Sequence, residues 1–279
     1  MKKSSSILVN KETITSIAIG GFDGMHYAHQ KLFKNLDENG AIISIESGYA
    51  NLTPKRYRQE YCKYPIFYYE LNSIKHLDGL EFIDLLKNEF PNLNKIVVGF
   101  DFCFGKNRKY CVKDLRDIFK GEVVVIDEIK LQEIPVHSRI IREYLKKGDI
   151  KTANRLLAKE YKIYGKHIKG QGLGSKSFVP TINLKVQEFL IPKEGVYITK
   201  TILDNTSYDS ISFLGHRVTT DGSFAIETHI LNEDVQRVDD STIQIKFFDK
   251  IRDNQKFENF EKLKEQIHLD IEKAKQFFN

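Results

Sequence analysis

The chain of 279 residues has no tryptophan, six prolines and only three cysteines. Cys62, Cys103 and Cys111 are odd in number and lack the spacing of a metal site, which favours reduced thiols over a disulfide framework. No apolar run is long enough to span a membrane, and residues 1–10 hold too few apolar side chains for a signal peptide. We therefore expect a cytoplasmic protein without a membrane partner.

A strong excess of charge of one sign is also missing. Lysine and arginine total 43 and aspartate and glutamate total 38, which gives a net charge of +5 at pH 7. No stripe of basic residues with interleaved aromatic residues occurs, so a nucleic-acid partner is not expected. The balance fits small anionic substrates such as nucleotides, and 19 phenylalanines and 13 tyrosines provide ample material for a core.

The first half of the chain alternates strand and helix signals. Such alternation is typical of an α/β fold with a parallel, Rossmann-like sheet, whose sites lie beyond the carboxyl ends of the strands. Apolar runs predict strands at residues 17–19, 41–45, 65–69, 95–98 and 122–126, and the pattern between and after them predicts helices at 31–39, 78–90, 138–147 and 149–158.

The character of the sequence changes after Tyr161. Short alternating segments punctuated by glycine, proline and Asp-Gly predict an antiparallel six-stranded β-barrel, followed by a terminal helix over residues 259–277. The predicted strands are residues 161–168, 181–186, 196–203, 210–214, 224–231 and 242–248. We place the domain boundary near residues 157–161, which divides the chain into domains 1–158 and 159–279.

Glycines and two histidines follow the first predicted strand, in residues 20–29 (GGFDGMHYAH). Glycines let a phosphate approach the backbone, and the start of a helix offers unpaired N–H groups and a positive dipole end. Imidazoles add donors or positive charge where a transferred phosphate builds negative charge. A zinc pair formed by His26 and His29, or a histidine that simply caps the helix, is the alternative interpretation.

Three segments of the first half resemble the FAD synthetase branch of the nucleotidyltransferase superfamily. They are the opening motif through Gln30, residues 98–108 (VGFDFCFGKNR) and residues 137–142 (HSRIIR). The resemblance implies catalytic roles for His26 and His29. It implies contacts with ATP phosphates from Gly20, Phe22, Asp23, Gly24, Ser138 and Arg142, and flavin contacts from Asp101, Phe102, Phe104 and Arg108. Without it, Ser138 reads as a plain helix cap and Arg142 as a solvated charge.

The second half resembles riboflavin kinase. A glycine cluster at Gly170, Gly172 and Gly174 precedes residues 180–183 (PTIN), which look like the family's Pro-Thr-x-Asn motif. The resemblance implies that Thr181 and Asn183 bind Mg²⁺ and nucleotide phosphates, as suits hard oxygen donors. It further implies ATP contacts from the three glycines, a base at Glu227, and flavin contacts from Arg252 and Phe257. Without it, Glu227 reads as an exposed strand carboxylate.

Adenylyltransferase followed by kinase is the order of the prokaryotic bifunctional riboflavin kinase/FAD synthetase family. The resemblance therefore implies two ATP-dependent reactions with Mg²⁺, from riboflavin to FMN and from FMN to FAD with release of pyrophosphate. The substrates and products would be riboflavin, ATP, FMN and FAD. A chain with one working half, or a non-enzymatic flavin or nucleotide sensor, is the alternative.

Several residues depart from the family pattern. In the first half, Gly21 stands where asparagine is usual, Ala28 where glycine is usual, and His137 and Arg139 where serine and threonine are usual. Residues 44–50 (SIESGYA) replace a Thr-Phe-x-Pro-His-Pro segment. In the second half, residues 213–217 (FLGHR) lack an Asn-Ile-Gly pattern, and an Asp-Leu-Tyr-Gly segment is absent between residues 231 and 242.

Overall fold

The computed structural model describes residues 9–168, 179–217, 219, 222–231 and 242–279. The chain forms two compact units that divide between His137 and Ser138. Two helices of the expected first domain group with the second unit. The sequence places the boundary between the two catalytic domains after residue 158, and this boundary stays a prediction.

The first unit contains the predicted parallel sheet. Its strand order is β3-β2-β1-β4-β7, and every neighbouring pair is parallel. The strands are nearly continuous apolar runs because helices or loops cover both faces. In chain order its elements are β1 (Ser16–Gly20), α1 (Tyr27–Phe33), β2 (Gly40–Glu46), β3 (Ile66–Glu70), α2 (Leu71–Ile74), α3 (Gly79–Glu89), β4 (Lys95–Gly99), β5 (Cys103–Phe104), β6 (Tyr110–Cys111), α4 (Val112–Ile118), β7 (Glu122–Ile126), β8 (Lys130–Leu131) and β9 (Ile134–Pro135).

The helix after the opening motif differs from the prediction. Residues 31–39 were expected to be helical up to Gly40, whereas α1 begins at Tyr27 and ends at Phe33. The cause is local: His26 is the N-cap, and its Nδ1 accepts the backbone N–H of His29 at 3.4 Å. The alternative that a histidine caps the helix is confirmed, but such a cap lies outside the usual Ser/Thr/Asp/Asn signal, so the start of the helix was placed too late.

The second unit is the predicted closed barrel with strand order β10-β11-β14-β13-β12-β15. The described strands pair antiparallel around it. Its elements are α5 (Ser138–Lys147), α6 (Ile150–Leu157), β10 (Tyr161–Ile168), β11 (Ile182–Val186), β12 (Gly195–Leu203), β13 (Thr206–His216), β14 (Phe224–Ile230), β15 (Thr242–Asp253) and α7 (Phe260–Phe278).

Helix α6 is tied to the barrel wall. Asn154 Nδ2 donates to the carbonyl of Phe247 at 2.8 Å, and Asn154 Oδ1 accepts the N–H of Tyr161 at 2.7 Å. Ile150, Ala153, Leu156 and Leu157 are buried on this helix. These contacts explain why α6 groups with the barrel.

The terminal helix α7 covers one outer face of the barrel. Ile271 and Ala274 pack with Val196, Ile198 and Ile211. The carboxylate of Asp270, almost fully buried, accepts Arg252 Nε at 2.8 Å and Gln266 Nε2 at 2.9 Å. Among the described residues, none of the helices combines the length and hydropathy that crossing a bilayer requires.

Candidate active sites

The opening motif forms a tight turn at the carboxyl end of β1. Phe22, Gly24 and Met25 have φ values of +47°, +83° and +44°, so two non-glycine residues occupy the left-handed region. Both of their side chains are buried, and this packing holds a backbone conformation that is otherwise unfavourable. The departure at Gly21 is not steric, because a Cβ there would meet only the carbonyl oxygen of Ile45, at 3.9 Å.

The two histidines of the motif lie face to face. The ring centroids of His26 and His29 are 3.5 Å apart and their planes differ by 19°. His26 is buried and caps α1, and His29 also meets the edge of the buried Phe22 ring. The structure therefore brings both predicted catalytic imidazoles together at the start of α1.

Asp23 fixes a second loop beside the turn. Its buried carboxylate accepts the backbone N–H groups of Asn51, Leu52 and Thr53 at 2.9–3.2 Å. Charge-assisted bonds of this kind are the strong ones. Asp23 thus positions the loop that follows β2, and its predicted contact with a phosphate stays a prediction.

A buried ion pair at the carboxyl end of β2 was missed from the sequence. The guanidinium of Arg58 is fully buried and pairs with Glu46, whose side chain is 11% exposed. Arg58 also donates to the carbonyl of Thr53 at 3.0 Å and contacts Ser44 Oγ. The pair lies where the family's proline and histidine segment is missing. The sequence feature that could have indicated this pair is a glutamate at the end of an otherwise apolar strand.

The second predicted segment follows β4, which pairs with β1 in the sheet. Both motifs therefore start from the carboxyl edge of the same sheet, as expected. Gly99 leads into the hairpin of β5 and β6, in which Cys103 faces Cys111 and Phe104 faces Tyr110.

The four predicted flavin residues of this segment differ in exposure. Phe104 is buried in the core and stacks on the half-buried Phe102, with ring centroids 5.6 Å apart. Asp101 and Arg108 are exposed. Phe102 is therefore the aromatic ring of this pair nearer to solvent, and the flavin contacts of all four stay predictions.

The third predicted segment opens the second unit. Ser138 is the first residue of α5, and the half-buried Arg142 lies one turn later. This spacing allows a hydroxyl and a guanidinium to face the same phosphate group from one helix. Both phosphate contacts stay predictions.

Asn183 and Glu227 are direct cross-strand partners on β11 and β14. One nitrogen of the Arg217 guanidinium donates to Asn183 Oδ1 at 2.8 Å and to Glu227 Oε1 at 2.5 Å. Arg217 Nε also donates to Glu227 Oε1, at 2.9 Å. The predicted base and a predicted metal ligand therefore converge on one cation. Arg217 was not predicted as a site residue. The polar Gly-His-Arg sequence at the end of an apolar strand could have indicated it.

Thr181 completes the predicted Pro-Thr-x-Asn motif and is exposed just before β11. The motif is tethered at Pro180, whose carbonyl lies 2.8 Å from His229 Nδ1. Burial lowers the pKa of His229, so its ring is neutral near pH 7 and an Nδ1–H can donate to that carbonyl. Gly170, Gly172 and Gly174 lie outside the described residues.

The two predicted flavin residues near the chain's end lie next to the end of β13. The N–H of Phe257 donates to Thr219 Oγ1 at 3.3 Å, and Asn254 Nδ2 donates to the carbonyl of His216 at 2.8 Å. Arg252 lies 5.5 Å from the centre of the Phe257 ring while it pairs with Asp270. Arg252 therefore also anchors helix α7.

Hard oxygen donors at the barrel site fit a magnesium ion. Asn183 Oδ1 and Glu227 Oε1 already approach a single positive group, which is the environment a cation requires. In the described ranges, no group of three or more histidine, cysteine, aspartate or glutamate side chains could hold a metal ion. The zinc alternative for the two histidines thus gains no third ligand from the part of the chain that is described.

Comparison with known proteins covers both units. Residues 157–278 match the flavokinase family of riboflavin kinases. A protein of Haemophilus influenzae is 27% identical over 95% of this chain and 94% of its own, and one of Bacillus subtilis is 27% identical over 98% and 95%. Both carry the name bifunctional riboflavin kinase/FMN adenylyltransferase.

A solved structure has a similar fold. It is named a macrolide-efflux protein from Streptococcus pneumoniae, with a TM-score of 0.83 and 25% identity over 94% of each chain. The flavokinase match and the two bifunctional relatives confirm the resemblance inferred from the motifs.

Proposed function

We propose that this chain, a member of the bifunctional riboflavin kinase/FMN adenylyltransferase family, phosphorylates riboflavin to FMN and then adenylylates FMN to FAD with release of pyrophosphate. The observation that carries the proposal is the convergence of Asn183 and Glu227 on adjacent barrel strands, in a chain whose other unit brings His26 and His29 together. Because both steps consume ATP, we expect them to take place in the cytoplasm.

In the kinase step, Glu227 would accept the proton of the riboflavin 5′-hydroxyl. An alcohol is a weak nucleophile at neutral pH, so a positioned carboxylate lowers the barrier. Thr181 and Asn183 would hold Mg²⁺, which neutralises charge on the phosphates of ATP. Asn183 and Glu227 lie on neighbouring strands, so the metal-bound phosphate and the accepting hydroxyl would be held side by side.

In the adenylylation step, the FMN phosphate would attack the α-phosphorus of ATP. This nucleophile is already anionic, so the site needs to position reactants and stabilise charge rather than remove a proton. His26 and His29 would donate to the phosphates at the start of α1. Phe102 would offer a half-buried ring for the flavin, next to Phe104 in the core.

Product chromatography with single variants tests the division of labour. Glu227→Ala should stop FMN formation from riboflavin and leave the conversion of FMN to FAD intact. His29→Ala should stop the conversion of FMN to FAD and leave FMN formation from riboflavin intact. If a folded Glu227→Ala protein lost both activities equally, the assignment of one reaction to each unit would be wrong.

A chain with a single working half is the second candidate. The observation that favours it is the buried Arg58–Glu46 pair, which lies where the family has a histidine and prolines. Incubating the protein separately with riboflavin and with FMN, each with ATP and Mg²⁺, distinguishes the two. If the protein converts riboflavin to FMN but does not convert FMN to FAD, only the kinase half is active.

A further inference from the structure

The backbone of Arg217 is fixed just beyond the end of β13. Its N–H donates to the carbonyl of Ser223 at 2.9 Å, and its carbonyl accepts the N–H of Gly222 at 3.1 Å. The guanidinium is held as well, since one of its nitrogens donates to Ser223 Oγ at 3.0 Å. Arg217 is therefore a built part of the barrel site and not a loosely solvated surface charge.

The guanidinium fills the space between two oxygen donors. Its contacts with Asn183 Oδ1 and Glu227 Oε1 involve the same nitrogen, and the side chains of Arg217 and Glu227 are only 18% and 21% exposed. A partly buried carboxylate and a neighbouring amide oxygen that share one positive group form the same kind of environment as a small cation site.

Arg217 and a divalent metal make incompatible demands on this site. Asn183 Oδ1 is the oxygen that the proposed function assigns to Mg²⁺, and a guanidinium nitrogen already lies 2.8 Å from it. Two positive groups on one oxygen repel each other, more strongly in a half-buried site than in bulk water. One of the two must therefore leave Asn183 when the other binds.

We propose that Arg217 is the resident cation of the kinase site and competes with the divalent metal for Asn183. Before the nucleotide arrives, its contacts keep the amide of Asn183 and the carboxylate of Glu227 aligned. When the metal nucleotide binds, Arg217 releases Asn183 and keeps its bonds to Glu227. Arg217 is thus a positioning residue. The inference rests on the proposed function, which assigns the metal to Asn183.

Metal binding without turnover tests this most directly. Free Mn²⁺ is measured by electron paramagnetic resonance during titration of the full chain at fixed ADP. Arg217→Met removes the competing charge at similar length, so we expect Mn²⁺ to bind about fivefold more tightly. Arg217→Lys retains the charge and should bind like the wild type. Lys200→Met, which removes a cation from a half-buried barrel pair with Asp209, is the matched control and should leave Mn²⁺ binding unchanged.

A folded Arg217→Met protein with unchanged or weaker Mn²⁺ affinity would overturn the proposal, because the arginine would then assist the metal nucleotide. If the methionine variant does not fold, Arg217→Gln preserves hydrogen bonding to Glu227 without the charge and should show the same tightening. A kinase assay of the wild-type protein distinguishes failure of the proposed function from failure of the proposed role of Arg217. Absence of FMN formation contradicts the proposed function, whereas FMN formation with unaltered Mn²⁺ binding in the variants contradicts only the role of Arg217.

Discussion

At the scale of single residues, two charged side chains that the sequence assigned to substrate contacts also make contacts that hold the fold together. Asp23 accepts three backbone N–H groups, and Arg252 pairs with the buried Asp270. The sequence predicts where such residues lie, because glycines and histidines mark the turn. It does not reveal their partners, since Asn51, Leu52 and Thr53 are brought to Asp23 only by the parallel pairing of β1 and β2.

The role of Asp23 predicts the effect of its neutralisation. Asp23→Asn retains the shape but replaces one accepting oxygen by a donating NH₂ group, which faces the N–H groups of the loop. We expect a loss of about 1–3 kcal/mol in the free energy of unfolding, measured by urea denaturation, and a loss of FMN adenylylation. Glu70→Gln, in an exposed pair with Lys55, is the control and should stay within about 0.5 kcal/mol of the wild type. Equal stability of the two variants would contradict this role.

Glu194 makes the stability of the barrel depend on pH. The backbone N–H of His216 lowers the pKa of Glu194, and Asn254 and the His216 ring act in the same direction. A carboxyl whose pKa is lowered on folding stabilises the protein above its unfolded pKa of about 4.3 and loses this contribution as the pH falls further. Urea denaturation between pH 7 and pH 3 should therefore show a steeper acid loss of stability for the wild type than for Glu194→Gln. Parallel curves would exclude the contribution of Glu194.

At the scale of elements, periodicity identifies long strands and helices but not what happens inside the barrel. The six barrel strands and the helix over residues 259–277 were all predicted, although β13 and β15 are longer than expected. The two-residue strands β5, β6, β8 and β9 were missed, because such short hairpins carry no periodic signal. The hydroxyl side chains of β12, β13 and β14 also gave no indication that they meet.

Five hydroxyl groups close a hydrogen-bonded ring within the barrel. Every member is at most 1% exposed, and each has one neighbour on either side at 2.7–3.0 Å, so each can donate once and accept once. In ring order the residues are Thr199, Ser210, Thr201, Thr228 and Ser212. Thr228 follows Glu227 directly, so the ring also stabilises the strand that carries the proposed base.

Opening this ring should be costly. Thr201→Val retains the shape but leaves the hydroxyls of Ser210 and Thr228 each with one partner fewer. We expect the free energy of unfolding to fall by about 1–3 kcal/mol, as judged by thermal or urea denaturation. Thr206→Val, at an exposed position of the same β12–β13 hairpin, is the matched control. A loss no larger than that of the control would contradict a closed ring.

At the scale of the whole molecule, the sequence predicted two parts and their folds, but it did not predict that two helices group with the barrel. A change in strand periodicity marks residues 157–161, whereas the buried side chains of α6 and the contacts of Asn154 join the preceding helices to the barrel. Sequence patterns indicate which element begins where. They do not indicate which neighbour a helix packs against, because amphipathic faces are alike.

Fragments test this division. Residues 138–279 retain α5, α6 and the bonds of Asn154 to Phe247 and Tyr161, so we expect a cooperative thermal transition. Residues 159–279 expose the barrel surface that α6 buries and should melt at lower temperature or without cooperativity. Identical melting of the two fragments, followed by circular dichroism, would show that α5 and α6 add nothing to the barrel.

The central claim is that one chain transfers two different phosphorus atoms of ATP to the same flavin. The direct measurement is to incubate riboflavin and Mg²⁺ with ATP labelled either at the γ- or at the α-phosphorus, and to locate the label after chromatography. We predict γ-label in FMN and both labels in FAD, one from each reaction. Formation of FMN with γ-label but no α-label in any flavin would contradict the account, because the first unit would then not be an adenylyltransferase.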